Sequence, residues 1–285
     1  MGYPGLQAMR KYLLIVPAVV VLLVFLVIPY IDIIFISLHP AADDRPYGSG
    51  FTLRNYVQVL TDGYLVHQTA MTLWIGLVTT CATLVLGFPV AWFMAHSSAR
   101  ARAIQQGIVL MPLLVGIVVR SYGWTVILGN NGILNRLARD IGLTRSVLPL
   151  MYNSLGIVIA LTHVFLPFMI LPIFGTIRSL DPALFLAGRS LGASPAITMR
   201  RGILPLTMPG IQSGCVLVFI LSVSAYVTPM LIGGMRVKTM PMTVVNTLID
   251  AFQWPFGAAQ ALVLSAIGAL IVLVFFRLTP LRWSR

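Results

Sequence analysis

Four ionisable side chains fall within or at the rims of long apolar runs: Asp32, His96, Arg120 and His163. Ion-coupled carriers build proton relays and substrate counter-charges from such residues. Their positions favour a milder reading. Asp32 and Arg120 lie toward the outer ends of their runs, where side chains reach the headgroups. Arg120 stands about 16 residues into its run, roughly 24 Å along a straight helix. His163 lies deep in its run and is expected to face the interior as a packing residue. The aromatic residues Trp74, Trp124, Tyr226 and Trp254 could line a path or anchor the chain at the membrane interfaces. The candidate path residues are Asp32, Arg120, Tyr226 and Trp254.

No catalytic set converges, and no catalytic residues are assigned. There is no His-Glu-x-x-His, no G-x-S-x-G and no pair of acids within a run. Cys81 and Cys215 fall in separate apolar runs without a CxxC partner, so they read as packing residues and no metal site is expected. A phosphate loop, G-x-x-x-x-G-K-[ST], is also missing. Lys11 and Lys238 are the only lysines, and neither follows glycines. The chain therefore binds no ATP in that manner and is not expected to be an enzyme. Any ATP and Mg must act in a partner subunit. All seven acidic residues are Asp.

These side chains sit in a chain of 285 residues that is 58% hydrophobic and 9% charged. Soluble domains carry about one quarter charged residues, so this is an integral membrane protein. Its net charge of +12 matters through its distribution, and no nucleic-acid partner is implied. Six apolar segments, roughly 13–38, 69–95, 104–128, 153–177, 205–232 and 258–278, are long enough to span a bilayer. The expectation is an all-α fold of six transmembrane helices, with residues 1–285 forming a single transmembrane domain in contact with membrane lipid. The first run is too long for a cleaved secretory signal.

With the N-terminus placed in the cytosol, eleven Lys or Arg fall inside: 10, 11, 100, 102, 178, 189, 200, 201, 277, 282 and 285. Seven fall outside: 45, 54, 136, 139, 145, 236 and 238. The excess favours both termini in the cytosol. Asp43, Asp44, Asp62, Asp140 and Asp250 then lie outside, and Asp181 inside. The outer segments 39–68 and 129–152 should carry short interfacial helices.

The polar stretch from 181 to 203 interrupts this apolar pattern on the cytosolic side. Asp181 followed by Pro182 is a good helix start. A helix over 183–191 would end at Gly192, the residue type suited to a left-handed turn. Ser194-Pro195 would open a second helix toward Gly202. The first helix offers Leu184, Phe185, Leu186 and Leu191 beside small Ala187 and Gly188, and Gly192-Ala193 follow at its end. Small residues let another protein approach the backbone. An amphipathic helix resting on lipid headgroups would carry similar residues.

The order of this stretch resembles the cytosolic loop of permease subunits in bacterial ABC importers. That loop reads Glu-Ala-Ala, three residues, Gly, nine residues, Ile, one residue, Leu-Pro. Ala187, Gly192, Leu204 and Pro205 fit it, whereas Leu186, Gly188 and Gly202 depart. More narrowly, the chain resembles the spermidine/putrescine-type permeases of binding-protein-dependent transport. The stretches carrying this likeness are VVRSYGWTVILGNNGILN from Val118, SAYVTPMLIGG from Ser224 and WPFGAA from Trp254. The resemblance implies a type I importer fold in the bacterial inner membrane. It also implies a second permease, a cytosolic ATPase dimer and a periplasmic binding protein. Leu184, Phe185, Leu186, Ala187, Gly188, Gly192 and Ala193 would then form the coupling surface for the ATPase. Leu186 stands where the family has Glu, so a heterodimeric core whose partner supplies that Glu is the simplest accommodation.

By this resemblance the solute is a polyamine or a related cationic or amino-acid-like compound. Opines, thiamine and phosphonates are alternatives. An ion-coupled secondary transporter or channel is the rival class. With little acid in the apolar runs, specificity is expected to reside mostly in the binding protein.

Overall fold

The computed structural model describes residues 16–17, 19–42, 44–144, 146–181, 183, 192, 194 and 197–279. The described residues form helices joined by turns and irregular segments, and no strand occurs among them. Among the described residues, five helices are long and apolar enough to cross a membrane: α1 (Val19–Ser37), α3 (Gly63–His96), α7 (Ser154–Ser179), α8 (Thr198–Val223) and α11 (Trp254–Leu278). The pair α4 (Ala99–Leu114) and Ile117–Asp140, bent by 95° at the break between them, makes a sixth candidate when taken together as one broken span. Short helices fill the connections: α2 (Arg54–Thr61), α5 (Ile117–Leu128), α6 (Ile133–Asp140), α9 (Val227–Gly233) and α10 (Met240–Val245). The segments 39–68 and 129–152 thus carry the short helices α2 and α6.

Two of the expected spans differ in shape. The third is not one straight rod over 104–128. Pro112 opens a 3-10 turn that ends in extended backbone at Val115, and Gly116 precedes α5. The estimate of 24 Å along a straight helix for Arg120 therefore fails, since Arg120 lies in the first turn after the break. The fifth segment is also divided: α8 ends at Val223, and α9 begins anew at Val227. Hydropathy counts apolar residues and is blind to a change of direction between them.

The chain forms two compact units, residues 1–66 with 243–265, and residues 67–242 with 266–285. In the first, α1 leads into a turn clamped by polar contacts. Asn55 donates its Nδ2 to the carbonyls of Ser37 and His39, both at 2.9 Å. Ser37 and Tyr56 share a hydroxyl hydrogen bond of 2.5 Å. Phe35, His39, Tyr47 and Phe51 pack ring to ring, with His39 at 4.4 Å from Phe35 and 4.9 Å from Phe51. No part of the apolar window of α1 is buried, so its side chains are left for lipid or another subunit.

In the second unit, α7 and α8 form the core. Ile157, Leu161, Val164, Met169 and Ile173 of α7 are buried with Cys215 and Val218 of α8. Lipid tails are as apolar as Leu, so close helix packing here depends on small residues. Gly210 and Gly214, one turn apart on α8, meet this need. A Cβ on Gly210 would fall 2.5 Å from Thr176 Oγ1 and 2.7 Å from the Pro172 carbonyl. One on Gly214 would fall 2.8 Å from Met169 Sδ. On α3, Thr72 accepts from the Met240 backbone N–H at 2.8 Å while donating to the Gln68 carbonyl at 2.7 Å.

Candidate coupling loop and membrane path

Of the expected coupling surface, Gly192 alone is described. Leu184, Phe185, Leu186, Ala187, Gly188 and Ala193 lie outside the described residues. The flanking signals are visible. Asp181 accepts from the Ala183 N–H through Oδ1 at 2.8 Å, the cap expected of an Asp before a helix. Gly192 is an exposed turn residue at φ +72°, the left-handed region in which glycine has no Cβ penalty. Ser194 then accepts from the Ile197 N–H through Oγ at 3.4 Å. A turn of π-helix over Thr198–Ile203 carries Arg200 and Arg201 into the start of α8.

The residues proposed for a path are divided between the two units. Asp32 is exposed on α1, and Trp254 is 45% exposed at the start of α11. Arg120 and Tyr226, both half-buried, belong to the second unit. Around Arg120 the fold assembles a group that sequence reasoning missed. Ser121 of α5 and Thr228 of α9 are both fully buried and joined by a hydrogen bond of 2.8 Å. Buried hydroxyls need such a partner, and the bond ties the two short helices together. Ser121 and Thr228 belong to two of the stretches, VVRSYGW and SAYVTPMLIGG, singled out separately in the sequence. One turn on from Arg120, Trp124 donates its indole N–H to His163 Nδ1 of α7 at 3.2 Å. Their rings meet edge to face at 5.4 Å.

His163 is not the interior packing residue that its place in an apolar run suggests. It is exposed, on the one stripe of α7 that α8 and its neighbours leave open. Spacing held a partial signal: Arg120 and Trp124 lie four apart and share one face of a helix. Nothing in the linear order pairs that face with α7. Cys81 is exposed and Cys215 buried; both line an apolar cavity of about 220 Å³ with Leu77, Phe219 and Phe275. That setting suits packing residues.

The architecture is that of an all-helical, multi-span membrane protein with one polar excursion between its fourth and fifth spans. The model of the family described as binding-protein-dependent transport system inner membrane component matches residues 107–283, and the chain belongs to that family. It is the permease subunit of a binding-protein-dependent ABC importer, a multi-pass inner-membrane protein. Such a subunit is non-catalytic, carries no cofactor and works with an ATPase and a periplasmic binding protein. The chain is 33% identical to the spermidine/putrescine transport system permease protein PotB of Escherichia coli (strain K12), covering 91% of this chain and 94% of the relative. The PotB protein of Haemophilus influenzae is 31% identical over 91% of each. A crystal structure of a bacterial ABC transporter involved in import of the acidic polysaccharide alginate shares the fold. Its TM-score is 0.73 at 18% identity, covering 98% of this chain and 97% of that one.

Proposed function

We propose that this permease imports a polyamine, spermidine or putrescine, or a closely related amino compound. The observation that carries the reading is 33% identity to a spermidine/putrescine permease over nearly the whole length of both chains. The chain acts as one transmembrane domain and forms half of the translocation path. A second, non-identical permease forms the other half. A tightly binding polyamine site needs carboxylates and aromatic faces. The apolar runs offer only Asp32, so the binding protein sets most of the specificity. Asp32, Tyr226 and Trp254 border the path, and Arg120 lies at its edge, on the seam between the two halves. Residues 184–188, 192 and 193 form the surface on which the ATPase acts.

Uptake by the assembled importer tests the solute directly. Labelled spermidine should enter proteoliposomes charged with the cognate binding protein, and excess unlabelled putrescine should compete. Competition by phosphonate or thiamine, with none by polyamines, would replace this assignment.

Both termini face the cytosol on this reading, given the excess of Lys and Arg in the inner segments. In a cysteine-free background, an impermeant thiol reagent added outside should label Ser49→Cys and spare Ser98→Cys. The reverse pattern would invert the topology.

A further inference from the structure

Arg120 occupies the first turn of α5, just after the break in the third span, and it is half-buried. Its Nε and Nη1 atoms are buried without a hydrogen-bond partner among the described residues. A guanidinium has N–H donors and no acceptor. Leaving such donors unpaired in a dry site costs more than the ordinary loss of a hydrogen bond. Something beyond the described residues is therefore expected to complete the group.

Its neighbours define what that is. An indole N–H can only donate, so the bond from Trp124 makes His163 Nδ1 an acceptor and leaves the ring proton on Nε2. His163 is exposed, and its Nε2–H has no partner among the described residues. Arg120 stands one turn before Trp124 on the same face of α5, and Trp124 is bonded to His163. The patch thus offers donors and a positive charge. Its complement is an acidic oxygen.

We propose that Arg120 and His163 receive a carboxylate side chain from a second, non-identical permease subunit, which rests on the reading of this chain as one half of a two-permease core. Three observations choose this occupant. The rest of the exposed surface of α5 is apolar: Val119, Tyr122 and Val126 are 66%, 64% and 59% exposed. A surface so apolar suits a protein partner better than a watered solute path, and hydrocarbon tails supply no acceptor. A second copy of this chain is a poor fit, because a two-fold contact could bring only this chain's own acids to the patch. This chain is also short of acid: it has seven Asp and no Glu, and Asp32 alone falls in an apolar span.

The test uses the whole importer, with a tag on this chain and the partner permease followed on purification. Arg120→Glu should lower recovery of the partner by about tenfold or more, because it turns the pairing into a repulsion of like charges. Arg120→Lys should retain most of it. Reversing the facing partner acid to Lys should restore recovery to Arg120→Glu. A photo-crosslinking residue at Val119, in an otherwise unaltered chain, should join this chain to the partner permease. That arm reports even where Arg120→Glu does not fold. Full recovery in Arg120→Glu, or crosslinks to lipid or to a second copy alone, would overturn the proposal. A change in which solutes are carried, with the complex intact, would also overturn it by making the solute the occupant. If spermidine is not the solute but the partner is still lost, the polyamine assignment fails and this one stands.

Discussion

Replacing Gly210 with Ala should destabilise the permease, and replacing it with Val should abolish the folded protein. In a helix interior, Gly to Ala normally gains about 1 kcal/mol from propensity. At Gly210 the added Cβ would lie 2.7 Å from the Pro172 carbonyl and 2.5 Å from Thr176 Oγ1. The carbonyl belongs to the backbone of the most buried span, α7, and cannot step aside. Forcing α7 and α8 apart costs about 1–3 kcal/mol or more through strained rotamers and lost packing, which outweighs the propensity gain. Gly268, on α11, supplies the control, since nothing lies within 4 Å of the Cβ position there. Thermal midpoints of the detergent-solubilised protein should fall for Gly210→Ala and hold or rise for Gly268→Ala. Equal midpoints would mean that α7 and α8 do not meet as described.

The second large effect is expected at Gly192. Among the described residues nothing lies within 4 Å of its Cβ position, and its φ is +72°. Alanine there pays only the left-handed backbone penalty, about 1–2 kcal/mol. Aspartate adopts that conformation more readily than alanine does. Considered within this chain alone, Gly192→Asp should therefore be no worse than Gly192→Ala. A docked ATPase reverses the order. A carboxylate pressed into a protein groove without a partner costs several kcal/mol. Gly192→Ala should keep most transport. Gly192→Asp should reach the membrane at normal abundance yet lose its ATPase on purification, or hydrolyse ATP without moving solute. Normal stimulated hydrolysis and uptake in Gly192→Asp would remove this loop from the coupling surface.

Much of this was legible in the residues. Apolar run length marks spans because backbone groups in lipid must bond within the helix. Asp181, Gly192 and Ser194 announce turns and caps through local chemistry: Asp181 and Ser194 accept backbone N–H groups and Gly192 takes a positive φ, while the helix expected over 183–191 lies outside the described residues apart from Ala183. What the sequence hid depends on direction and on distant partners. The 95° turn at Val115–Gly116 leaves hydropathy unchanged, so Arg120 looked like the far end of a straight helix. The partners Ser121 and Thr228 lie 107 residues apart, and Trp124 and His163 lie 39 apart. Neither separation has a periodic signature. His163 looked internal because its run is apolar, and it faces outward because α7 leaves one stripe uncovered. In a subunit of a larger machine, such a stripe is where another subunit is expected.

Uptake into sealed proteoliposomes holding this permease, its partner permease and the ATPase bears most directly on the account. ATP on the ATPase side and loaded binding protein on the opposite side should together drive accumulation of solute against its gradient. Omitting either, or replacing ATP with a non-hydrolysable analogue, should reduce accumulation to the level of empty liposomes. Accumulation by this chain alone, driven by a proton or sodium gradient without the ATPase, would contradict the account.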